Sequence, residues 1–285
     1  MGSLFGISRQ ACSQLLKASK NSENYDDRIV ELVLTIRKRM PRIGGLKLHF
    51  LLKDNFQSEG IKCGRDKLYL LLKRRRLLVP RRKRFFRTTD SNHRFNRHSN
   101  KIKGITIKRP EQVWQSDITY VRTKNGMKYL NLITDCYSKK IMGHFLSDNL
   151  KAASTKIALI KALNNRSYPK RKLIHHSDRG FQYCSPEYTE HLEMNKIKIS
   201  MTTKYDPYEN SIAERVNGIL KQEFFISDAR MTKREIQKIV DQSIYIYNNE
   251  RPHLSCEMMT PCQAHNKGKF KYKQWGKYSI TDQWN

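Results

Sequence analysis

The sequence predicts an α/β fold, in which a mixed β-sheet with helices on its faces follows a small all-α helix-turn-helix domain. Two observations predict the sheet. Residues 112–121, 128–137 and 140–147 are rich in Val, Ile, Leu, Thr and Tyr, and Asn125-Gly126 between the first two is a strong hairpin signal. The third observation concerns the first quarter of the chain, where short helical patterns with glycine-bearing connections predict the all-α domain.

The helices of the N-terminal domain are predicted where Leu, Ile and Val recur at helical spacing and where proline or glycine ends the pattern. They cover residues 26–40, a short segment after Gly44-Gly45, and residues 65–76. This outline predicts a helix-turn-helix DNA-binding domain over residues 26–80, after an N-terminal segment of residues 1–25. A small helical bundle without DNA contacts is the alternative.

The charge of the chain points to a polyanionic partner. The formal net charge is +30, and it is concentrated in residues 1–108, which hold 27 Lys and Arg against 8 Asp and Glu. Such an excess favours nucleic acid, with an affinity that falls steeply with salt. A ribosome-associated protein, or a cationic surface that only confers solubility, is the alternative.

The densest positive charge lies in residues 73–87, where nine of fifteen side chains are basic. Residues 81–108 are therefore predicted to form a basic linker that lies along DNA phosphates, with a tether that never contacts DNA as the alternative. The candidate DNA-binding residues of this half are Arg65, Lys67, Lys73, Arg74, Arg75, Arg76, Arg81, Arg82, Lys83 and Arg84.

Residues 109–285 are predicted to form the catalytic core. Three antiparallel strands in succession precede further alternating elements, which together indicate a mixed sheet with helices on its faces. The later elements are a helix at 151–165, a strand at 173–175, a helix at 186–194, a strand at 197–199, and helices at about 209–225 and 232–249.

Three carboxylates stand out in this basic chain: Asp117, Asp178 and Glu214. Sixty residues lie between the first two and thirty-five between the last two. Asp117 lies mid-strand, Asp178 follows the fourth strand, and Glu214 lies in a helix that Asp206-Pro207 can initiate. A strand centre, a strand end and a helix can direct side chains to one point. Converging acids in a polyanion-binding protein suggest a two-metal site that acts on phosphodiesters.

Positions around Glu214 follow from helical geometry. Lys221, seven residues later, lies on the same helix face and is a candidate for holding a DNA phosphate, with a solvated surface lysine as the alternative. Glu209 and Glu223 point away from that face, which favours Glu214 as the third acid. Asp135 is either a competing metal ligand or the first residue of a turn before Ser138, and the turn is favoured.

The histidines of the predicted core are weaker candidates for catalytic residues than the three acids. His175 and His176 precede Asp178 and could be acid–base groups. A two-metal site can work without them, which favours packing or support of the neighbouring residues. His253 is ambiguous in the same way.

Ordered motifs carry a family resemblance along nearly the whole chain. The chain resembles the second-frame product of the insertion-sequence-three family of bacterial transposases, whose core is similar to that of retroviral integrases. The matching segments are Val113-Trp114 through Asp117-Ile118-Thr119-Tyr120, His176-Ser177-Asp178-Arg179-Gly180 with Gln182-Tyr183, Asn210 through Glu214-Arg215, Leu220-Lys221-Gln222-Glu223, Tyr247-Asn248 with Arg251-Pro252-His253 and Thr260-Pro261, and, in the helical domain, Gly44-Gly45-Leu46 and Gly64-Arg65-Asp66-Lys67.

The resemblance implies a ribonuclease-H-like core with an Asp, Asp, Glu triad that binds Mg²⁺ or Mn²⁺. By position these roles fall on Asp117, Asp178 and Glu214, and Lys221 becomes the residue that contacts terminal DNA. It also implies a DNA transposase that cleaves strands and transfers them at the ends of an insertion element. The implied partners are double-stranded DNA of the element ends and target, a first-frame transposase protein, and further copies of the chain on DNA.

Two other functions stay open at this point. A non-catalytic DNA-binding protein, such as a repressor derived from a decayed element, would need no intact triad. A nuclease acting on RNA–DNA hybrids would need no duplex-reading domain.

The sequence also bears on localisation. The first 25 residues lack a continuous apolar segment, and no apolar stretch approaches the roughly 20 residues that span a bilayer. Six scattered cysteines without a C-x-x-C pair suit reduced thiols. We therefore expect a cytoplasmic, nucleoid-associated bacterial protein without membrane contact.

Overall fold

The computed structural model describes residues 8–80, 98–203, 209–268 and 270. The chain divides into two compact units, Met1–Lys83 and Arg84–Asn285. None of the helices in the described ranges combines the length and hydrophobicity that a bilayer requires of a spanning segment. All six cysteines are free thiols.

The first unit is built from four helices: α1 (Arg9–Arg39), α2 (Gly45–Leu51), α3 (Lys53–Ser58) and α4 (Arg65–Arg74). The helix predicted at 26–40 begins earlier, because the Ser8 side chain accepts a hydrogen bond from the Ala11 amide and caps the helix there. Residue 25 therefore lies inside α1. The short α3 was not predicted, and it buries Phe56. Apolar side chains from α1, α2 and α4 make the core, including Ile29, Val33, Leu48, Leu68 and Leu72.

The second unit confirms the predicted mixed sheet. Five strands lie in the order β3-β2-β1-β4-β5. β1, β2 and β3 pair antiparallel, whereas β4 and β5 run parallel to β1. The strands are β1 (Val113–Thr123), β2 (Gly126–Asp135), β3 (Ile141–Ser147), β4 (Ile174–Ser177) and β5 (Lys198–Met201).

In the described part of this unit, six α-helices accompany the sheet, and four of them match the predicted segments. The short α6 and α10 were not predicted from apolar periodicity. The helices are α5 (Ala152–Asn164), α6 (Phe181–Cys184), α7 (Pro186–Met194), α8 (Ser211–Glu223), α9 (Lys233–Asn249) and α10 (Pro261–Lys267). Asp206 and Pro207, expected to initiate α8, lie outside the described residues, and the helix begins after Asn210.

The turns that connect the first three strands confirm the sequence signals. Thr123 pairs with Gly126 across the Asn125-Gly126 hairpin, where Gly126 has a φ of 88°. At the next turn, the Asp135 Oδ1 atom accepts hydrogen bonds from Ser138 N at 2.8 Å and Ser138 Oγ at 2.7 Å. Asp135 is therefore a turn-starting residue, as favoured.

The two faces of the sheet are covered differently. The main apolar core packs α5 and α7 against one face and includes Trp114, Ile133, Leu159 and Tyr188. β3 approaches α5 closely at Gly143, where a Cβ atom would lie 2.2 Å from the Ala158 carbonyl oxygen. The opposite face carries α8, with a smaller cluster of Val113, Cys136 and Ile212.

A buried charge network joins the start of β1 to the loop after α5. The fully buried Glu111 carboxylate accepts hydrogen bonds from Arg166 Nε at 2.9 Å and Ser167 N at 2.7 Å, and His265 Nε2 lies 3.3 Å away. Burial by itself raises the pKa of Glu111. Hydrogen bonds from His265 and Arg166 outweigh that effect and hold the pKa at about 2, below its ordinary 4.5.

We predict that Glu111→Gln lowers the free energy of unfolding at neutral pH by about 3 kcal/mol, because it leaves the buried Arg166 without its carboxylate. The carboxylate's contribution is complete above pH 4.5 and is lost as the pH falls towards 2. The free energy of unfolding of the wild type, measured with denaturant, should therefore decrease over that pH interval. The decrease should be smaller for the variant. Glu187→Gln, at an exposed ion pair with Lys156, is the control and should change stability little. Equal effects of the two substitutions would contradict the prediction.

Candidate active site

The first two predicted acids lie on adjacent parallel strands. In the β1–β4 pair, Trp114 is opposite His175 and Gln115 is opposite His176. Asp117 and Asp178 each lie two residues beyond that last pair, in the same direction along the two parallel strands. Residues 113, 115 and 117 share a strand face, which is the face that α8 covers.

Asp117 is buried, with 3% of its surface exposed, although it is a carboxylate in the central strand. Its Oδ2 atom accepts a hydrogen bond of 2.8 Å from the Asn217 Nδ2 atom of α8. Burial of a carboxylate is costly unless a donor or a cation offsets it, and the amide supplies such a donor.

The side chain of Gln115, two residues before Asp117, holds the start of α8. Its Oε1 atom accepts hydrogen bonds from the backbone amides of Ile212 at 3.1 Å and Ala213 at 3.3 Å. Its Nε2 atom donates to the Glu209 carbonyl oxygen at 2.9 Å. Gln115 therefore satisfies amides of the first helical turn, a task that an N-cap side chain usually performs.

Glu214 is brought to the same strand by the residues around it on α8. Asn210, four residues earlier, donates to the Ser116 carbonyl oxygen at 3.0 Å, and Asn217, three residues later, bonds to Asp117. Residues at these spacings share one helix face. The half-buried Glu214 therefore lies on the face of α8 that meets β1.

The two rival acids of this helix region are engaged elsewhere. Glu209 accepts hydrogen bonds from Thr203 N at 2.6 Å and from the Asn100 side chain at 2.9 Å. Glu223 forms a bidentate ion pair with the buried Arg251, with both N–O distances at 2.7 Å. These partners support the choice of Glu214 as the third acid.

Asp178 lies in the loop between β4 and α6, where a glycine gives its carboxylate room. The Gly180 amide donates to Asp178 Oδ1 at 3.0 Å. A Cβ atom at Gly180 would lie 3.1 Å from that oxygen and 2.8 Å from Gln182 Oε1. The neighbouring Arg179 fixes the loop by donating from Nε to the Thr202 carbonyl oxygen at 2.6 Å.

The structure thus places Asp117 on the sheet face that α8 covers, Glu214 on the face of α8 that meets β1, and Asp178 directly after the neighbouring strand β4. In the part of the chain that is described, no three His, Cys, Asp or Glu side chains form a ready group that could hold a metal ion. The ligand roles of Asp117, Asp178 and Glu214 therefore stay predictions from sequence and position.

The two histidines before Asp178 are packing residues, as favoured from the sequence. His175 is buried beside Ser116 Oγ at 2.6 Å and Tyr188 Oη at 2.9 Å, and burial lowers its pKa to about 3. His176 contacts Ser200 Oγ at 2.9 Å, and burial lowers its pKa to about 4. Burial therefore favours the neutral form of both imidazoles. His253 is likewise buried, beside Ser255.

The predicted DNA-binding side chains of the helical unit are exposed, but several have partners within it. Arg74 and Arg75 pair with Asp26 and Asp27 of α1. Arg65 pairs with Asp66, and the Lys67 ammonium lies 4.4 Å from the centre of the Tyr25 ring. Lys73 and Arg76 are exposed at the end of α4, and Arg81, Arg82, Lys83 and Arg84 lie outside the described residues. DNA contact by these residues stays a prediction.

Sequence reasoning missed Gln115 and Asn217. A signal for each was available, because Gln115 shares a strand face with Asp117 and Asn217 lies three residues after Glu214 on the same helix face. Their amides mattered only once the strand and the helix were known to pack together.

A mixed sheet of this order, with acids on its central strand, at the end of the neighbouring strand and on a covering helix, defines an integrase-like core of the ribonuclease-H-like class. Two family models, both described as "Integrase core domain", match this chain. One matches residues 107–207 and the other matches residues 195–261.

The chain is similar to several known proteins. The insertion element IS600 uncharacterized 31 kDa protein of Shigella sonnei is 32% identical over 272 residues, which is 94% of this chain and 98% of the relative. Transposase InsF for insertion sequence IS3A of Escherichia coli is 35% identical over 159 residues, 55% of each chain, so this alignment spans about half of InsF. A solved catalytic core domain of HTLV-2 integrase, in complex with magnesium, is 20% identical and covers 55% of this chain and 97% of its own, with a TM-score of 0.44.

The chain therefore belongs to the bacterial insertion-sequence transposases with an integrase core domain. Its function is accordingly DNA transposition and integration, as the sequence predicted.

We predict that Gln115→Leu reduces DNA strand cleavage at least roughly tenfold, because α8 and Glu214 lose their fixed position against β1. The loss of the cap should cost only about 1–2 kcal/mol of stability, measured by thermal unfolding. Gln112→Leu is the matched control, since that side chain bonds only to Lys108 N and Thr106 O in the described residues. Equal cleavage by the two variants would rule out the positioning role.

Proposed function

We propose that this transposase is a polynucleotidyl transferase that cleaves and joins DNA strands with a divalent-metal site held by Asp117, Asp178 and Glu214. The observation that carries the proposal is the set of hydrogen bonds from Gln115, Asn210 and Asn217, which join α8 to β1 on the face that holds Asp117. The relatives' names support the activity, and the register of β1 and β4 supports the grouping of the acids.

The residues present fit Mg²⁺ or Mn²⁺. All three candidate ligands are carboxylates, and hard divalent cations prefer oxygen ligands. Beside Asp117, the buried Asn217 Oδ1 atom has no hydrogen-bond donor among the described residues, which suits a place for a cation and its water. Gly180 keeps the space around the Asp178 carboxylate open. When bound, the metal supplies positive charge to the attacking and leaving oxygens of a phosphodiester.

The protein's own residues prepare that reaction. Asn217 orients the Asp117 carboxylate by donating to Oδ2, and Gln115 fixes the first turn of α8, on which Glu214 lies. Lys221 lies seven residues after Glu214, on the same face and half-buried, where its ammonium can contact a DNA phosphate near the acids. These residues would bind and orient the reacting groups.

The helical unit and the oligomer complete the proposal. The segment from α3 to α4 has the order of a helix-turn-helix, and we propose that it binds the element ends. Joining two ends requires at least two active sites, so we propose that copies of the chain assemble on DNA, together with a first-frame protein. We also place the protein in the cytoplasm with the nucleoid, because its substrate is there.

We predict that Asp117→Asn, Asp178→Asn and Glu214→Gln each abolish strand cleavage and joining and leave DNA binding largely intact. Each change keeps the side chain's size and removes the negative charge that holds the cation. The measurement is a nicking and joining assay with Mg²⁺ on element-end DNA, beside a mobility-shift assay. Glu193→Gln on the exposed part of α7 is the control and should retain activity.

Three results would contradict the triad or the proposed function. Joining near wild-type levels by any one of the three variants would remove that residue from the site. A wild-type protein that shifts element-end DNA without breaking it would instead be a binding protein, such as a repressor. Preferential cleavage of an RNA–DNA hybrid over element-end duplex would favour the hybrid nuclease.

We predict that Lys221→Ala weakens binding of element-end DNA and reduces the salt dependence of the affinity by about one unit of log–log slope, because one phosphate contact is lost. Titrations at several salt concentrations measure the slope. Lys238→Ala, on an exposed part of α9, is the control and should leave the slope unchanged. An unchanged slope for Lys221→Ala would show that this lysine is only a solvated surface residue.

A further inference from the structure

A group of cationic side chains lies at the end of the sheet where strands β1 and β4 begin. This end is distant from the proposed catalytic acids. We call this group the basic edge. Four of its members are exposed and Arg109 is half-buried. Its members are Lys108, Arg109, Lys170, Arg171 and Lys172.

The members are close to one another. The Arg109 Nη2 atom donates to the Lys172 carbonyl oxygen at 2.7 Å, which joins the segment before β1 to the segment before β4. Burial lowers the pKa of Arg109, and the positive charges of Arg171 and Arg166 lower it further, which places these guanidinium groups near each other. The carboxylates of Asp135 and Glu111 act on Arg109 in the opposite direction, whereas the four exposed members have no such partner among the described residues. Like charges held together on a surface repel unless an anion lies beside them.

The loop that presents three of these cations is fixed by the buried network around Glu111. The Arg166 Nη2 atom donates to the carbonyl oxygens of Tyr168 and Arg171, both at 2.9 Å, and the Glu111 carboxylate accepts from Ser167 N. The Arg171 amide closes a turn on the Tyr168 carbonyl oxygen at 3.0 Å. A surface held in one conformation loses little entropy when it binds a ligand.

Within the described residues, the Arg109 guanidinium donates to backbone carbonyl oxygens, whereas the side chains of the four exposed members donate no hydrogen bond. The Arg171 guanidinium lies 4.0 Å from the centre of the Tyr168 ring, a contact that orients it without using its N–H groups. Among the residues that the structure describes, its side chain donates no hydrogen bond, and no member of the basic edge pairs with a carboxylate. Other exposed cations of the chain do pair, as Arg28 with Glu59, Arg230 with Asp228, and Lys233 with Asp148.

The position separates this surface from the catalytic acids. Lys172 precedes Asp178 by six residues of largely extended chain, which span about 20 Å at the rise of a β-strand. Asp178 follows the other end of β4, so a phosphate bound at the basic edge belongs to a different part of the DNA from the one that reacts.

We propose that the basic edge binds the phosphate backbone of duplex DNA about 20 Å from the reacting phosphate. An oriented guanidinium with free donors, flanked by exposed ammonium groups, matches the charge and spacing of successive phosphates rather than base edges. The inference rests on the proposed function, since DNA must be the substrate. It adds a contact surface that the catalytic acids and the helical unit do not contain.

The test uses the full chain and a fluorescent DNA duplex of arbitrary sequence, with affinity measured by anisotropy over a series of salt concentrations. The combined variant Lys170→Ala, Arg171→Ala and Lys172→Ala removes three positive charges. We expect it to reduce the log–log salt slope by about 2–3, because each phosphate contact contributes about one unit. Its thermal unfolding should match the wild type, because all three side chains are exposed.

The matched control is the combined variant Lys198→Ala, Arg234→Ala and Lys238→Ala. It also removes three positive charges, but from other exposed positions. The control should leave the slope unchanged. An unchanged slope in the basic-edge variant, or an equal loss in the control, would overturn the inference while leaving the proposed function in place. Failure of the wild type to bind duplex DNA would overturn both. A loss seen only with double-stranded RNA of the same sequence would overturn DNA as the partner.

Discussion

The core of this transposase depends on the contact between the central strand β1 and the start of helix α8. The Gln115 side-chain oxygen accepts hydrogen bonds from two amides of the first helical turn, and its side-chain nitrogen donates to the Glu209 carbonyl oxygen. A helix end buried without such partners would leave several polar groups unsatisfied, each at a cost of about 1–3 kcal/mol. The Gln115 side chain therefore makes it favourable to bury the beginning of α8 against the sheet. This burial also determines the position of Glu214 relative to β1.

The alternation of the central strand explains how one sheet serves both stability and chemistry. Trp114 points into the apolar core beneath α5 and α7, whereas Gln115 and Asp117 point to α8. The main core is therefore largely apolar, whereas on the other face the side-chain amides of Gln115, Asn210 and Asn217 join β1 to α8. A shift of β1 by one residue would move Asp117 into the apolar core, so burial of Trp114 also fixes the position of the acid.

The sequence predicted those features that local physics decides. Alternating β-branched and aromatic residues gave the strands, Asn125-Gly126 gave the hairpin, and Asp135 gave the turn before Ser138. The short helices α3 and α6 escaped, because four to six residues carry too little periodicity to detect. The Arg74–Asp26 and Arg75–Asp27 pairs also escaped, since 48 residues separate the partners and only folding brings them together. The three acids could be proposed from the sequence because each lies in its own distinctive segment, but the Gln115 and Asn217 contacts needed the packed structure.

Those ion pairs change how the net charge of +30 should be understood. At the end of α4, the basic residues that seemed most suited to DNA are partly neutralised by Asp26 and Asp27 of α1. To bind DNA, Arg74 and Arg75 would have to exchange a carboxylate for a phosphate. Exchange of one anion for another gains little free energy, because the cation is already paired. At the basic edge the guanidinium of Arg171 is held by a ring instead, and its charge is not compensated by a carboxylate among the described residues. The free energy of DNA binding therefore depends on which cations lack an internal partner, and not on where positive charge is densest in the sequence.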